Sequence, residues 1–157
     1  MVVDRQTFSI GGRLVGAGCP CFVIAEAGVN HNGSLDTALQ LVDAAAAAGA
    51  DAVKFQTFRA DKIVTPDAPK AGYQLRATGD TESKRDMLRR LELDPAAYRA
   101  LAQRCAERGL IFLSTPFDEE SADLLKSIGV PAFKVPSGEL TNLSFLRYLA
   151  CKGLPLI

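Results

Sequence analysis

Histidine is nearly absent from this chain, because His31 is the single one among 157 residues. A histidine-rich metal site or a Ser-His-Asp triad would therefore have to be built around that residue alone. The sequence also lacks the glycine fingerprints of P-loops and dinucleotide-binding folds, so it gives no support for nucleotide binding. His31 lies in the turn sequence "GVNHNGS", and we interpret it as a residue that caps or braces this turn rather than as a metal ligand.

Net charge and long apolar runs are lacking as well. The 18 basic and 18 acidic side chains cancel, which indicates no general nucleic-acid or membrane surface. No apolar run is long enough to span a bilayer, and the first residues do not have signal-peptide architecture. The four cysteines lack the spacing of a disulfide-rich domain, and Cys19 and Cys21 are too close together for the usual zinc knuckle. We expect reduced thiols in a cytoplasmic protein.

Hydrophobic residues make up 48% of the chain, which is enough for one domain with a substantial core.

An N-terminal hairpin is predicted over residues 1–18, with Gly11 and Gly12 at its turn. Strand patterns then occupy residues 21–27, 52–58, 110–114, 131–135 and 154–157, and helix patterns occupy residues 35–48, 82–93, 95–108, 118–128 and 143–152. Ser34, Asp94 and Asp118 are the candidate N-caps. Residues 59–83 form a long irregular segment, typical of a functional lid or a disordered insertion.

This alternation predicts an α/β fold with a parallel sheet and right-handed crossovers. An open doubly wound sheet and a (β/α)8 barrel share the pattern. A barrel needs ~250 residues, so about four βα units would supply half of one. Since the sequence stops at the start of a strand pattern, we expect the N-terminal part of a longer protein.

Polar residues occur where buried strands are predicted to end. In a barrel, side chains at the carboxyl ends of the strands point into the mouth, where the chemistry takes place. The residues that meet this condition, with two from the following loop, are Glu26, Lys54, Gln56, Ser114, Thr115, Lys134, Ser137 and Glu139.

Two lysines aimed at one cavity would repel each other unless negative charge lay between them. A small ligand with several anionic oxygens, bound with help from Thr115 and Ser137, is the interpretation we favour. Two alternatives stay open. The lysines could merely fill the interior, paired with Glu26 and Glu139, or one of them could form a Schiff base as in barrel aldolases.

Several motifs in the same order resemble the N-acetylneuraminate (sialic acid) synthase family. They are "IAEAGVNHNGSLDTALQLVDAAAAAGADAVKFQTF", "LIFLSTPFDEESADLL", "GVPAFKVPSGELTNL" and "KGLPLI". The resemblance implies the N-terminal half of a TIM barrel that condenses phosphoenolpyruvate with N-acetylmannosamine or a related amino sugar. The products would be a nonulosonic acid and phosphate, and a divalent metal, manganese or magnesium, would polarise the sugar aldehyde.

The resemblance also implies roles for individual residues. Those expected to hold the phosphate and carboxylate of phosphoenolpyruvate are Lys54, Thr115, Lys134 and Ser137. Glu26 and Gln56 match residues on the sugar and aldehyde side, and Glu139 matches a carboxylate near the reacting carbons that could handle a proton or water. Glu26 and Glu139 are thus the candidate catalytic residues.

The sequence departs from the family pattern in three respects. The family's two metal-binding histidines would lie beyond residue 157, so this chain is expected to hold no metal ligand. The C-terminal antifreeze-like domain, which reaches the partner's sugar in a homodimer, is also absent. Residues 59–83 contain no asparagine where relatives often place a sugar-contacting one, which leaves the sugar open. We expect the isolated chain to be inactive. A Schiff-base aldolase and a non-catalytic assembly module are the rival interpretations.

Overall fold

The computed structural model describes residues 7–70, 72 and 82–157. It begins with an antiparallel hairpin of strands β1 (Phe8–Ile10) and β2 (Arg13–Val15). Gly11 and Gly12 form its turn with φ angles of 56° and 86°, values that glycine adopts without steric cost. A hairpin turn therefore lies at the two glycines where it was predicted, the paired strands cover residues 8–15 of the predicted 1–18, and residues 1–6 lie outside the described part of the chain.

Three parallel strands follow, named β3 (Ile24–Gly28), β4 (Ala52–Thr57) and β5 (Ile111–Pro116). Their spatial order is the same as their order in the chain. Phe133 then bridges Ser114 of β5 on one side and Leu156 on the other, both in parallel. Each extended segment therefore adds next to the one before it, as a parallel barrel requires.

The strand pattern at 131–135 was predicted too long. Only Phe133 forms ladder bridges, and 154–157 contributes only Leu156. The backbone is still paired, because the Phe133 N–H donates to Pro155 O at 3.0 Å and the Ile157 N–H donates to Phe133 O at 2.9 Å. Prolines at 131, 136 and 155 carry no N–H, so regular pairing cannot extend through them. The first strand is also shorter than predicted and starts at Ile24.

The helices whose bounds lie in the described residues are α1 (Leu35–Ala47), α2 (Ala60–Ile63), α3 (Lys84–Arg89), α4 (Pro95–Glu107), α5 (Glu119–Ile128) and α6 (Leu143–Ala150). Ser34, Asp94 and Asp118 each accept a first-turn backbone N–H, so these three predicted N-caps are confirmed. The pattern at 82–93 contains only the short helix α3. The long segment at 59–83 begins with α2, and its residues 71 and 73–81 lie outside the described part of the chain.

The two faces of the sheet have different surroundings. Val53, Phe55 and Phe112 face the helices and join a large core with Val42 and Leu101. The opposite, inner face is apolar at the amino end of the strands, where Ile10 of the hairpin packs with Ala52, Leu113 and Ala132. Farther along the same inner face the side chains become polar, and this is where the candidate site lies.

Gly33, in the turn before α1, is in close contact with the end of α3. Its φ is 79°, and a Cβ at this position would lie 2.1 Å from the Arg90 carbonyl oxygen. Gly49, after α1, has a similar φ of 75° but no atom within 4 Å of the position a Cβ would take. An alanine would be strained in its backbone at either position, but it would collide with a neighbouring atom only at position 33.

We expect Gly33→Ala to lower the free energy of unfolding more than Gly49→Ala does. The Gly49 variant carries only the left-handed backbone penalty of about 1–2 kcal/mol, whereas the Gly33 variant must also displace α3. Urea denaturation of both variants measures the difference. Equal losses would contradict the close contact between Gly33 and Arg90.

Candidate functional site

Lys54 lies at the centre of the polar part of the inner face. Its residue is 9% exposed, and its Nζ lies 2.5 Å from Glu26 Oε2 and 3.4 Å from Thr115 Oγ1. The parallel register explains this grouping, because Glu26 of β3 pairs with Lys54, and Gln56 of β4 pairs with Thr115. Residues in register share a face of the sheet, so three strands supply one cluster.

Gly28 completes this cluster and was not singled out from the sequence. The register shifts between Glu26 and Gly28, and Gly28 has a φ of 55°. A Cβ on Gly28 would lie 3.1 Å from Glu26 Oε1 and 3.7 Å from Gln56 Nε2. Oε2 of Glu26 thus contacts Lys54, whereas Oε1 lies near Gly28, close to the Gln56 amide. A glycine at the end of a strand was the available signal, because glycine there often marks a bulge.

The remaining predicted site residues lie on the next segment along the sheet. Ser137 and Glu139 form a 3-10 turn, Ser137–Glu139, just after Lys134. Glu139 is half-buried and accepts a 2.8 Å hydrogen bond from Asn142 Nδ2. The side chains of Lys134 and Ser137 form no hydrogen bond or ion pair within the part of the chain that the structure describes. Their segment bridges β5 through Phe133 and Ser114, which brings them to the same end of the sheet as Thr115.

Ser114 does not face the inner side of the sheet, so the expectation that its side chain points into the mouth was wrong. Side chains alternate along a strand, and Thr115 takes the inner face. Ser114 Oγ instead lies 2.7 Å from Thr57 Oγ1 on the helix side. Nearby, the Tyr98 hydroxyl donates to the Gln56 carbonyl oxygen at 2.9 Å. Burial raises the pKa of Tyr98 to about 12, so the phenol stays protonated and can support the end of β4 as a donor.

His31 supports the turn that follows β3. It is fully buried, and its Nδ1 accepts the Gly33 N–H at 3.0 Å, as the turn-bracing interpretation predicted. Burial lowers the pKa of His31, which favours the neutral ring that can accept this bond. Across residues 7–70, 72 and 82–157, no group of three or more His, Cys, Asp or Glu side chains could hold a metal ion.

Carboxylates also connect the loops at this end of the sheet. Asp118 Oδ2 accepts the Arg59 N–H at 2.9 Å, and Glu92 Oε1 accepts the Ala60 N–H at 2.6 Å. The start of the segment after β4 is therefore held to the loop after β5 and to the segment between α3 and α4.

Among the described helices, none is long and apolar enough to cross a membrane.

Known proteins resemble this chain over most of its length. Residues 41–157 match the NeuB family. The chain belongs to the NeuB family. It is 49% identical to the N,N'-diacetyllegionaminic acid synthase of Legionella pneumophila over 142 residues, which cover 90% of this chain and 40% of that protein. It is 36% identical to the human N-acetylneuraminate-9-phosphate synthase over 93% of this chain and 40% of that protein. The family resemblance seen in the sequence is confirmed.

The solved relatives show where this chain lies within the fold. The N-acetylneuraminic acid synthetase of Leptospira borgpetersenii, solved with citrate, superimposes with a TM-score of 0.80 at 30% identity, covering 97% of this chain and 48% of that one. The spore coat polysaccharide biosynthesis protein SpsE of Bacillus subtilis gives a TM-score of 0.75 at 42% identity, covering 96% of this chain and 39% of that one. These neighbours are TIM-barrel proteins, so the predicted half-barrel is confirmed. The NeuB-family chain spans about two fifths of the length of the curated relatives it matches.

The Lys54–Glu26 pair is asymmetric in burial, and this asymmetry can be tested. The Lys54 side chain is 11% exposed and that of Glu26 is 52% exposed. Glu26→Gln would leave a buried ammonium without its counter-charge and should cost roughly 1–2 kcal/mol. Lys54→Met would leave a carboxylate that water can reach, so it should cost less than about 1 kcal/mol. Urea unfolding midpoints compare the two variants, and a larger loss for Lys54→Met would contradict this geometry.

Proposed function

We propose that this chain is the phosphoenolpyruvate-binding half of a nonulosonic acid synthase. The complete enzyme condenses phosphoenolpyruvate with N-acetylmannosamine or a related N-acetylated amino sugar and releases phosphate. The observation that carries the proposal is the nearly buried Lys54 ammonium at the carboxyl ends of the strands, with Thr115 beside it. Membership of the NeuB family supports it, because relatives in that family are named as synthases of such acids.

The donors that would bind phosphoenolpyruvate are present on three neighbouring segments. A lysine ammonium has three donor hydrogens, and Lys54 directs two of them to Glu26 and Thr115, which leaves one for a ligand. Lys134 and Ser137 have no side-chain partners among the described residues and can also donate. Two cations and two hydroxyls suit a ligand that carries both a phosphate and a carboxylate.

Glu26, Gln56 and Glu139 are assigned to the reacting end of the site. The enol carbon of phosphoenolpyruvate forms the new bond to the aldehyde carbon of the sugar, and the aldehyde oxygen takes up a proton from the solvent. Water adds at C2 of the pyruvyl group and loses one proton to Glu139, which returns an equivalent proton to the solvent. The C2–O bond to phosphate then breaks, the C2 hydroxyl becomes the ketone, and its proton leaves with the phosphate. Glu26 and Gln56 orient the aldehyde.

A divalent metal, manganese or magnesium, would supply Lewis-acid activation of the aldehyde in the complete enzyme. The described residues offer no ligand cluster for it, so no step is assigned to a metal held by this chain. The proposal also includes a cytoplasmic homodimer as the complete protein, with no nucleic-acid or membrane partner. Relatives are named for legionaminic, pseudaminic and N-acetylneuraminate products, so the product here is proposed only as a nonulosonic acid.

Lys54→Met in the complete protein should weaken phosphoenolpyruvate binding about ten-fold or more, because a charge-assisted hydrogen bond to the ligand is lost. Lys126→Met is the matched control, since the one bond that the exposed Lys126 side chain makes among the described residues is to the Lys152 carbonyl oxygen, and this variant should bind phosphoenolpyruvate normally. Isothermal titration calorimetry measures both affinities, and circular dichroism checks the folds. Unchanged affinity in a folded Lys54 variant would refute the anion-binding role.

The same proposal predicts no turnover by residues 1–157 alone. The assay supplies phosphoenolpyruvate, the amino sugar and manganese and measures the release of phosphate. Rapid phosphate release by the isolated chain would contradict the prediction. Borohydride trapping of a carbonyl substrate on Lys54 or Lys134 would instead favour the Schiff-base aldolase.

A further inference from the structure

Asn142 links the proposed catalytic carboxylate to helix α6. Its Oδ1 accepts the Phe145 N–H at 3.2 Å and so caps the helix. Its Nδ2 donates to Glu139 Oε2 at 2.8 Å. Its own N–H donates to the Glu139 carbonyl oxygen at 3.0 Å. One asparagine therefore contacts both the backbone and the side chain of Glu139.

The cap determines which end of the amide faces Glu139. If the amide were reversed, its oxygen would meet the carboxylate and its NH2 would meet the Phe145 N–H, and both contacts would be repulsive. The helix is itself well anchored, because Phe145 and Leu149 are buried in the core. The amide donor is thus held in a fixed direction by a packed element.

Glu139 depends on such a donor because its own segment is poorly supported. Ser137 and Gly138 are exposed, and Leu140 is 63% exposed. Among the described residues, Asn142 is the only one that donates a hydrogen bond to the Glu139 carboxylate. Without it, the Glu139 carboxylate would have no hydrogen-bond donor among the described residues.

The surroundings of Asn142 are mostly acidic. A cavity of about 280 Å³ beside it is lined by acidic residues, including Asp118, Glu119 and Glu120. The one neighbouring hydroxyl that lines the same cavity, Ser144, makes no hydrogen bond to Glu139 among the described residues. The one cationic residue that lines it, Lys62, is paired with Glu120 at 3.0 Å. The neutral amide of Asn142 is therefore the donor that the described structure supplies to Glu139.

We propose that Asn142 is a positioning residue that holds the Glu139 carboxylate in its reactive orientation. This inference rests on the proposed function, in which Glu139 accepts a proton from water. With Oε2 held by the amide, Oε1 is the oxygen directed to the reaction. Asn142 itself touches no reacting atom in this scheme.

Three substitutions distinguish positioning from simple helix capping. Serine and aspartate cap helices about as well as asparagine, whereas alanine does not. Serine lacks the amide donor, and aspartate would place a second negative charge against Glu139. If Asn142 acts only as a helix cap, kcat should be alike for asparagine, aspartate and serine at this position and lower for alanine. If Asn142 positions Glu139, kcat should be highest for asparagine, lower for serine and alanine, and lowest for aspartate.

In the complete protein, we expect kcat to fall about ten-fold in Asn142→Ser and further in Asn142→Asp, with KM for phosphoenolpyruvate unchanged. The melting temperatures of both variants should stay close to that of the parent, and Asn142→Ala should melt lowest. In a Glu139→Gln background, Asn142→Ser should have little further effect on kcat, because the amide acts through Glu139. Values of kcat that follow the melting temperatures would overturn the inference.

A crystal structure of Asn142→Ser provides a readout that does not depend on activity. The Glu139 carboxylate should leave its present position, and an unmoved carboxylate would overturn the inference even if the enzyme proves to be a synthase. Conversely, a parent protein that binds no phosphoenolpyruvate would refute the proposed function, whatever Glu139 does in the variant.

Discussion

The structure is organised around one ammonium group held inside a sheet. Removing a lysine side chain from water is unfavourable unless charge and hydrogen bonds compensate for it. Lys54 finds both on the neighbouring strands, from Glu26 on one side and Thr115 on the other. This arrangement requires β3, β4 and β5 to be parallel and in the observed register, because a shift by one residue would turn Lys54 toward the helices.

The inner face changes character along the strands. Ile10, Ala52, Leu113 and Ala132 exclude water at the amino end, and the charged cluster begins one step farther along each strand. The hairpin contributes to this through Ile10, which is 2% exposed. A dry layer beneath the charged one lowers the local dielectric and strengthens the electrostatic contacts above it. The N-terminal hairpin thus affects the site without touching it.

Much of this could be predicted from local sequence patterns. Helix caps, the hairpin turn and the inward direction of Lys54 and Gln56 follow from short-range rules, because the spacing of residues decides them. Ser114 was misplaced because two adjacent polar residues cannot both face inward, and only the register decides between them. The strand at Phe133 was predicted too long because apolar composition was weighed above the missing proline donors.

Gly28 and Asn142 show a different limit of prediction from local sequence patterns. Their importance depends on contacts with side chains that the local pattern does not specify, namely Glu26 and Gln56 for Gly28 and Glu139 for Asn142. A glycine at a strand end and an asparagine before a helix are common, and each has an ordinary backbone explanation. Three-dimensional proximity is what gives them a second role.

The order of the strands also has a consequence for assembly. Each extended segment pairs with the one that precedes it in the chain, so every new segment meets a finished neighbour as it leaves the ribosome. The Lys54–Glu26 contact can therefore form early in synthesis, before the segment that carries Lys134 is complete. A growing polypeptide would then acquire the buried Lys54 already neutralised, and the half-buried Lys134 would arrive at a preformed surface.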